Sequence, residues 1–265
     1  MDSISKRSYA KVNIFLKIAG KRDGYHEIVS RFVRVKNLFD IVSFEKGSFE
    51  GFTLEGDFGC ELEKNTIYKI YLELLQLDKN VEKFFQSYKV KVQKTIPEFA
   101  GLGGGSSNAA TFLLMTNETA DLGLSQDEMA RIGMKIGADI PFFVYEYESA
   151  NVTGIGEVVQ KFDECSLEIE TFTPKVKCDT GKIFKNFREK FYKEISQEEQ
   201  TKLLEMKSLD IISQYDIKSA NDLYLSANDI YPELDPVNYS LPKKTFFSGS
   251  GSSFFYVKDN VVKEK

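Results

Sequence analysis

The stretch Pro97-Glu-Phe-Ala-Gly-Leu-Gly-Gly-Gly-Ser-Ser-Asn-Ala-Ala110 decides how this sequence is read. Gly103, Gly104 and Gly105 stand together, and such a run costs chain entropy unless the backbone needs positive φ or the close approach of a ligand. The segment from Asn108 to Met115 reads as a helix, and Ser106 or Ser107 is placed to cap it. Free N–H groups at a helix start, together with the positive end of its dipole, make an anion site. The hydroxyls of Ser106 and Ser107 add donors and are candidate ligands for a magnesium ion. The plain alternative is a tight turn with no ligand.

This is an unusual phosphate loop. A Walker A loop needs GxxxxGK[ST], and no lysine follows Gly101 at that spacing; a dinucleotide loop needs GxGxxG, and Ser106 stands where the third glycine belongs. A protein-kinase loop fails for the same reason, and no HRD or DFG supports it.

Upstream of the loop, Tyr88, Val90 and Val92 alternate with polar residues as in a half-exposed strand. Ile67, Ile70, Tyr71, Leu74 and Leu75 recur at helical spacing within Asn65 to Leu77. The first forty-five residues are β-rich: Val12, Ile14, Leu16 and Ile18 alternate, Lys21 to Gly24 reads as a turn, and Arg31 to Val35 and Asp40 to Glu45 read as further short strands. Downstream, Ser125-Gln-Asp-Glu128 is a capping box whose helix should stop at Gly137, which leaves Asp139 just outside it. From about residue 162 the chain turns acidic and lysine-rich, with helix expected over Glu189 to Met206. A lone strand, Phe254 to Val257, follows Ser248-Gly-Ser-Gly-Ser-Ser253. The predicted division is into domains 1–161 and 162–265.

Composition sets the outer bounds. A chain of 265 residues with 42% hydrophobic and 28% charged residues is globular rather than disordered, and large enough to fold without disulfide or metal staples. Lys+Arg 35 against Asp+Glu 40 gives −5, which argues against a protein held on nucleic acid by bulk charge. Cys60, Cys165 and Cys178 form no CxxC and read as free, buried thiols. One histidine, His26, excludes HExxH metal sites and any Ser-His-Asp scheme not built on itself. No stretch approaches the ~18 apolar residues of a membrane span, and the first residues carry no apolar leader-like run. The expectation is a soluble, cytoplasmic protein with no membrane partner.

The segment from Pro97 to Ala110 resembles the central motif of the GHMP small-molecule kinases. Ala10-Lys-Val-Asn-Ile-Phe-Leu16 resembles the family's N-terminal strand motif, and Phe247-Ser-Gly-Ser-Gly-Ser-Ser253 its third, glycine-rich motif. Gly24-Tyr-His-Glu27, Gly137-Ala-Asp-Ile-Pro-Phe-Phe143, Gly154-Ile-Gly-Glu157 and Asn221-Asp-Leu223 match in order and spacing, so the resemblance runs almost end to end. It implies an α+β fold of two domains with the active site in the cleft between them. It also implies transfer of the ATP γ-phosphoryl group, with magnesium, to the 2-hydroxyl of a cytidine diphosphate-linked methylerythritol. Residues 162–240 match the family loosely.

The resemblance assigns roles residue by residue. Asp139 matches the family's candidate base and Lys11 the lysine that pairs with it; read alone, they are an N-cap and a solvated strand lysine. Pro97, Gly101, Leu102, Gly103, Gly104, Gly105, Ser106, Ser107 and Asn108 would hold ATP. Asn65 and Ile67 match a region near the adenine, or are a helix cap and a core residue. Asn13 would hydrogen-bond the substrate, Tyr25 would stack on its base and His26 would meet the base edge. Thr180 matches a threonine near the transferring phosphate, and Gly249 and Gly251 would pack against the diphosphate or form only a tight turn. Other readings are a homoserine- or mevalonate-type kinase, which needs no aromatic stack for a base, and a non-catalytic nucleotide- or RNA-binding module, which needs neither Lys11 nor Asp139.

Overall fold

In the computed structural model, residues 3–22 and 24–258 are described. Asp23, inside the expected turn, and both chain ends lie outside them. The fold is α+β, and its residues divide into two compact units that interleave along the chain. Of the described residues, the first holds 3–10, Leu38–Ile96 and Gly103–Tyr147; the second holds 11–22, 24–37, Pro97–Leu102 and 148–258.

Two long paired strands, β1 (Ser3–Arg22) and β2 (Tyr25–Lys46), contribute residues to both units. The two short strands expected within 31–45 are therefore one strand. Its partner changes along its length: Ile28–Val33 pair antiparallel with β5 (Ser149–Gly154), and Ile41–Lys46 pair antiparallel with β4 (Tyr88–Gln93). Between those ladders Lys36 and Asn37 are not buried, so the apolar alternation lapses while the extended backbone continues.

In the first unit, β3 (Leu54–Glu55) runs parallel to β4. Five α-helices belong to this unit among the described residues: α1 (Thr66–Leu77), α2 (Asn80–Ser87), α3 (Gly104–Thr119), α4 (Gln126–Ile136) and α5 (Ile140–Val144). The expected α1 face is present, with Ile67, Ile70, Tyr71 and Leu74 buried. The core is aromatic: Phe44, Phe85 and Phe112 are fully buried, and Phe52 stacks on Tyr71 with centroids 4.1 Å apart. The Ser125 capping box forms as expected, and α4 stops before Gly137.

In the second unit, β6 (Val158–Lys161) continues the sheet beside β5. A separate sheet sets β9 (Phe254–Val257) antiparallel between β7 (Ile169–Phe172) and β8 (Phe246–Phe247), so the expected lone strand is the centre of three. The helices are α6 (Thr180–Asn186), α7 (Gln197–Glu205), α8 (Ser208–Gln214), α9 (Ile217–Ala220) and α10 (Tyr224–Ile230). The helix expected over Glu189 to Met206 is interrupted at residues 192–196, where Ser196 caps α7 by accepting from Glu199 N–H. Leu16, Ile18, Ile183, Phe187, Leu223, Phe247 and Phe254 form one core with Cys178, whose thiol burial pushes up to about 12. Cys60 and Cys165 are exposed, contrary to expectation.

Arg31 is fully buried in this unit. Its guanidinium donates to Asn151 Oδ1 at 2.6 Å and to the carbonyls of Leu204 at 3.0 Å and Met206 at 3.2 Å. Its charge lies 3.8 Å from Glu164 and over the Phe162 ring. Burial pushes its pKa down to about 10, with Glu164 opposing the shift. Removing the carboxylate leaves a buried cation without its counter-charge, so Glu164→Ala should cost about 3 kcal/mol, read as a lower urea midpoint.

Candidate active site

Within the first unit, α3 begins earlier than its sequence suggests. Gly103 is the N-cap, in the left-handed region at φ 70°, and Gly104 and Gly105 are the first helical residues. Neither Ser106 nor Ser107 caps the helix, because the glycines are wound into its first turn. The ladder starts with Ser107 N–H donating to Gly103 C=O at 2.8 Å, so the N–H groups of Gly104, Gly105 and Ser106 precede it. A β-carbon on Gly104 would stand 2.9 Å from Ile96 Cγ2, which explains why the position is bare. Ser106 is half-buried, whereas the buried Ser107 hydroxyl accepts from Ser8 Oγ at 2.8 Å.

The other predicted residues of this unit divide by role. Asn65 caps α1, accepting from Ile67 N–H at 2.9 Å, and Ile67 is fully buried. Their side chains serve the helix and the core. Thr66, between them, donates to Gly105 C=O at 2.8 Å and so ties the start of α1 to the glycine turn. Asn108 is buried and spends its amide on Ser8, Asp40 and Lys94. Asp139 is half-buried at the N-cap position of α5, yet its side chain makes no capping bond.

Within the second unit, Lys11 and Asn13 lie on one face of β1, as alternation requires. Both are buried, and Lys11 Nζ donates to Asn13 Oδ1 at 2.7 Å and stands 4.2 Å from the centre of the Phe32 ring. Asn13 Nδ2 donates to Ser30 Oγ at 2.9 Å. Lys11 N–H donates to Leu102 C=O at 3.0 Å, which fixes the loop from Pro97 to Leu102 against β1.

The third glycine motif closes on the same place. Gly101 has φ 71°, and a β-carbon there would lie 2.1 Å from the Ser248 carbonyl oxygen. Ser248 Oγ donates to Gly101 C=O at 2.9 Å and Ser253 N–H to Ala100 C=O at 3.0 Å. A β-carbon on Gly249 would fall 3.5 Å from Asn13 Oδ1, and one on Gly251 would collide with the tip of the Phe247 ring, 2.2 Å from Cζ. Asn221 holds this turn, a role that its motif in the sequence does not announce. Its Nδ2 donates to the carbonyls of Phe247 and Gly249, both at 2.9 Å. Thr180 opens α6, and its hydroxyl pairs with Ser250 Oγ at 2.8 Å. Lys11, Asn13, Leu102, Gly101, Gly249 and Gly251 thus belong to one cluster, and Pro97 begins its loop half-buried.

At the start of β2, Tyr25 is 65% exposed and His26 half-buried. The imidazole stacks on Phe184 at 5.1 Å, with Phe187 and Tyr192 at 6.0 and 6.2 Å. These aromatic neighbours also went unread; Phe184 and Phe187 have an i,i+3 spacing at the end of α6 that could have drawn notice. Desolvation, then the charges of Arg188 and Lys21, pull the His26 pKa down, which keeps the ring neutral near pH 7. Its Nε2 is buried, with no hydrogen-bond partner among the described residues.

The sequence pattern described as the GHMP kinases N terminal domain matches residues 65–147. The chain is 54% identical over 260 residues to the 4-diphosphocytidyl-2-C-methyl-D-erythritol kinase of Sulfurimonas denitrificans, with 96% of each chain covered. It is 46% identical to that of Sulfurovum sp., covering 96% of this chain and 99% of the relative. A crystal structure of 4-(cytidine 5'-diphospho)-2C-methyl-D-erythritol kinase superposes with TM-score 0.72 and 28% identity, over 97% of this chain and 90% of that one. The homoserine kinase of Cytophaga hutchinsonii, 18% identical with TM-score 0.64 over 97% and 85%, shares the fold. Glycine turns, buried lysine and half-buried aspartate therefore sit in a chain that belongs to the GHMP kinases, in the family of the 4-diphosphocytidyl-2-C-methyl-D-erythritol kinases.

Proposed function

We propose that this enzyme uses ATP to phosphorylate the 2-hydroxyl of 4-diphosphocytidyl-2-C-methyl-D-erythritol, in the non-mevalonate route to isoprenoid precursors. The structural observation that carries the substrate reading is His26. A neutral imidazole offers one donor and one acceptor to a pyrimidine edge, its Nε2 has no partner among the described residues, and the exposed Tyr25 beside it can stack on a base. A homoserine- or mevalonate-sized acceptor would leave that surface unused. ATP and a nucleotide-linked sugar alcohol are small cytoplasmic metabolites, so we place the reaction in the cytoplasm. A net charge of −5 offers no bulk attraction to nucleic acid.

Phosphoryl transfer asks for positioning and charge stabilisation more than covalent chemistry. In this reading the free N–H groups of Gly104, Gly105 and Ser106 receive phosphate oxygens, aided by the α3 dipole. Gly101, Leu102 and Gly103 shape the turn, and Pro97 sets where it begins. Asn108 supports it from beneath, while Asn65 and Ile67 hold the α1 end beside which the adenine would lie. Lys11 stabilises the negative charge that grows between nucleophile and γ-phosphate. Asp139 accepts the hydrogen bond of the acceptor hydroxyl and takes its proton late, once the O–P bond is forming, because a carboxylate is too weak a base to remove it early. Asn13 orients the substrate, Thr180 stands near the transferring phosphate, and Gly249 and Gly251 lie along the substrate's diphosphate.

The donors present fit a magnesium ion that is held mainly by nucleotide. No group of three or more His, Cys, Asp or Glu able to cage a metal occurs among the described residues, and kinase magnesium takes few protein ligands besides phosphate and water. Ser106 is the better protein donor, since the Ser107 hydroxyl is engaged by Ser8. Bound there, the ion would neutralise phosphate charge.

ADP release with the cytidylylated methylerythritol, homoserine and mevalonate as rival acceptors tests the assignment; turnover of only the first is expected. Asp139→Asn should keep ATP affinity within about threefold and lower kcat by about a hundredfold or more. Tyr25→Ala should raise KM for the cytidylylated substrate by roughly tenfold to a hundredfold, the worth of one base stack, with KM for ATP unchanged. Because the His26 pKa is lowered, the same KM should stay flat on descending through pH 6.5 and rise only on further acidification, as the imidazole gains its second proton and loses its acceptor.

A further inference from the structure

Beneath the first turn of α3 lies a buried polar chain that no substrate contact explains. Asp40 is fully buried and accepts four hydrogen bonds: from the N–H groups of Thr95 at 2.6 Å and Ile96 at 2.8 Å, from Lys94 Nζ at 2.5 Å and from Asn108 Nδ2 at 2.9 Å. Lys94 Nζ also donates to Asn108 Oδ1 at 3.0 Å. Asn108 Nδ2 donates its other hydrogen to Ser8 Oγ at 2.9 Å, and Ser8 Oγ donates to Ser107 Oγ at 2.8 Å.

The direction of every link is forced. An ammonium only donates and a carboxylate only accepts. Lys94 therefore fixes Asn108 with its oxygen toward the ammonium and its nitrogen toward Asp40 and Ser8. Ser8 must then accept from Asn108, and its single hydrogen is left for Ser107. Two opposite charges, on Asp40 of β2 and on Lys94 after β4, thus impose one arrangement on three further side chains, Ser8 of β1 and Ser107 and Asn108 of α3. Ser107 is also the residue whose N–H makes the first bond of the α3 ladder.

We propose that Asp40, Lys94 and Ser8 are positioning residues for nucleotide binding: they hold Ser107 and Asn108 so that the amides of Gly104, Gly105 and Ser106 stay aimed at phosphate. The inference rests on the reading of that turn as the ATP site. The location supports it, since Lys94 Nζ lies 3.6 Å from where a Gly104 β-carbon would be. A glycine-rich turn has little stiffness of its own, so its aim must come from what grips the residues that follow.

The test measures ATP affinity by calorimetry, with steady-state kinetics and thermal unfolding, on the full chain and on Ser8→Ala, Ser8→Thr and Asp40→Asn. Ser8→Ala cuts the chain without touching a charge. It should weaken ATP binding and raise KM for ATP by about threefold to tenfold, the worth of one buried hydrogen bond, with kcat and the acceptor KM unchanged. Ser8→Thr, which restores the hydroxyl, should recover the affinity, and Asp40→Asn should lose more than Ser8→Ala does. A purely structural role would lower the melting temperature and the active fraction while leaving KM for ATP at the wild-type value; that result in whichever of Ser8→Ala or Asp40→Asn folds would overturn the proposal. If the unaltered protein does not bind ATP, the reading of the site falls and takes this inference with it. If it binds and the variants bind equally well, only this inference falls.

Discussion

The carbonyl of Ser248 comes so near Gly101 that no side chain could fit between them. Much of the site in the second unit follows from that approach. It fixes the entrance of the glycine loop, and through it Leu102, whose carbonyl binds the backbone of Lys11. It also sets Gly249 beside Asn13, while Asn221 secures the returning turn from behind. Three stretches far apart in sequence meet largely through main-chain groups, which is why glycine stands at 101 and 249, where a β-carbon would crowd the facing backbone.

Charge is handled by burial with partners. Lys11 is held by Asn13 and by the face of Phe32, Lys94 by Asp40 and Asn108, and Arg31 by Glu164, Asn151 and carbonyl groups. A cation kept in place this way loses little freedom on meeting a phosphate, because its rotamers are already fixed. His26 is the opposite case. Burial first, and then the neighbouring cations Arg188 and Lys21, hold its pKa down and favour the uncharged ring.

Local signals were legible in the sequence where the physics is local. The Ser125 capping box, the Asn65 cap, the apolar face of α1 and the alternation of β4 all formed as their spacing implied. Features decided by distant partners were not. β2 read as two strands because its partner changes from β5 to β4 midway, and the break in apolar pattern at Lys36 and Asn37 marks that exchange. Ser106 and Ser107 looked like caps because serine favours that position, yet Gly103 took it by adopting positive φ. The motif residues were legible as a set, whereas the aromatic surroundings of His26 and the acceptor role of Asp40 depend on neighbours more than fifty residues away in the chain. Phe99 is a further case: it sits at φ 54° and 55% exposed within the glycine loop, where nothing in its side chain announces a left-handed backbone.

The interleaving of the two units bears on how such a chain can change over evolutionary time. Because β1 and β2 each supply both units, and the loop from Pro97 to Leu102 belongs with the later one, no single cut releases either unit whole. A gene encoding it cannot be shortened to one half, nor can one half be exchanged for a foreign module by a simple crossover. Variation is steered instead toward point substitutions and toward loops within each unit, so new acceptor specificities would have to arise on a scaffold inherited entire.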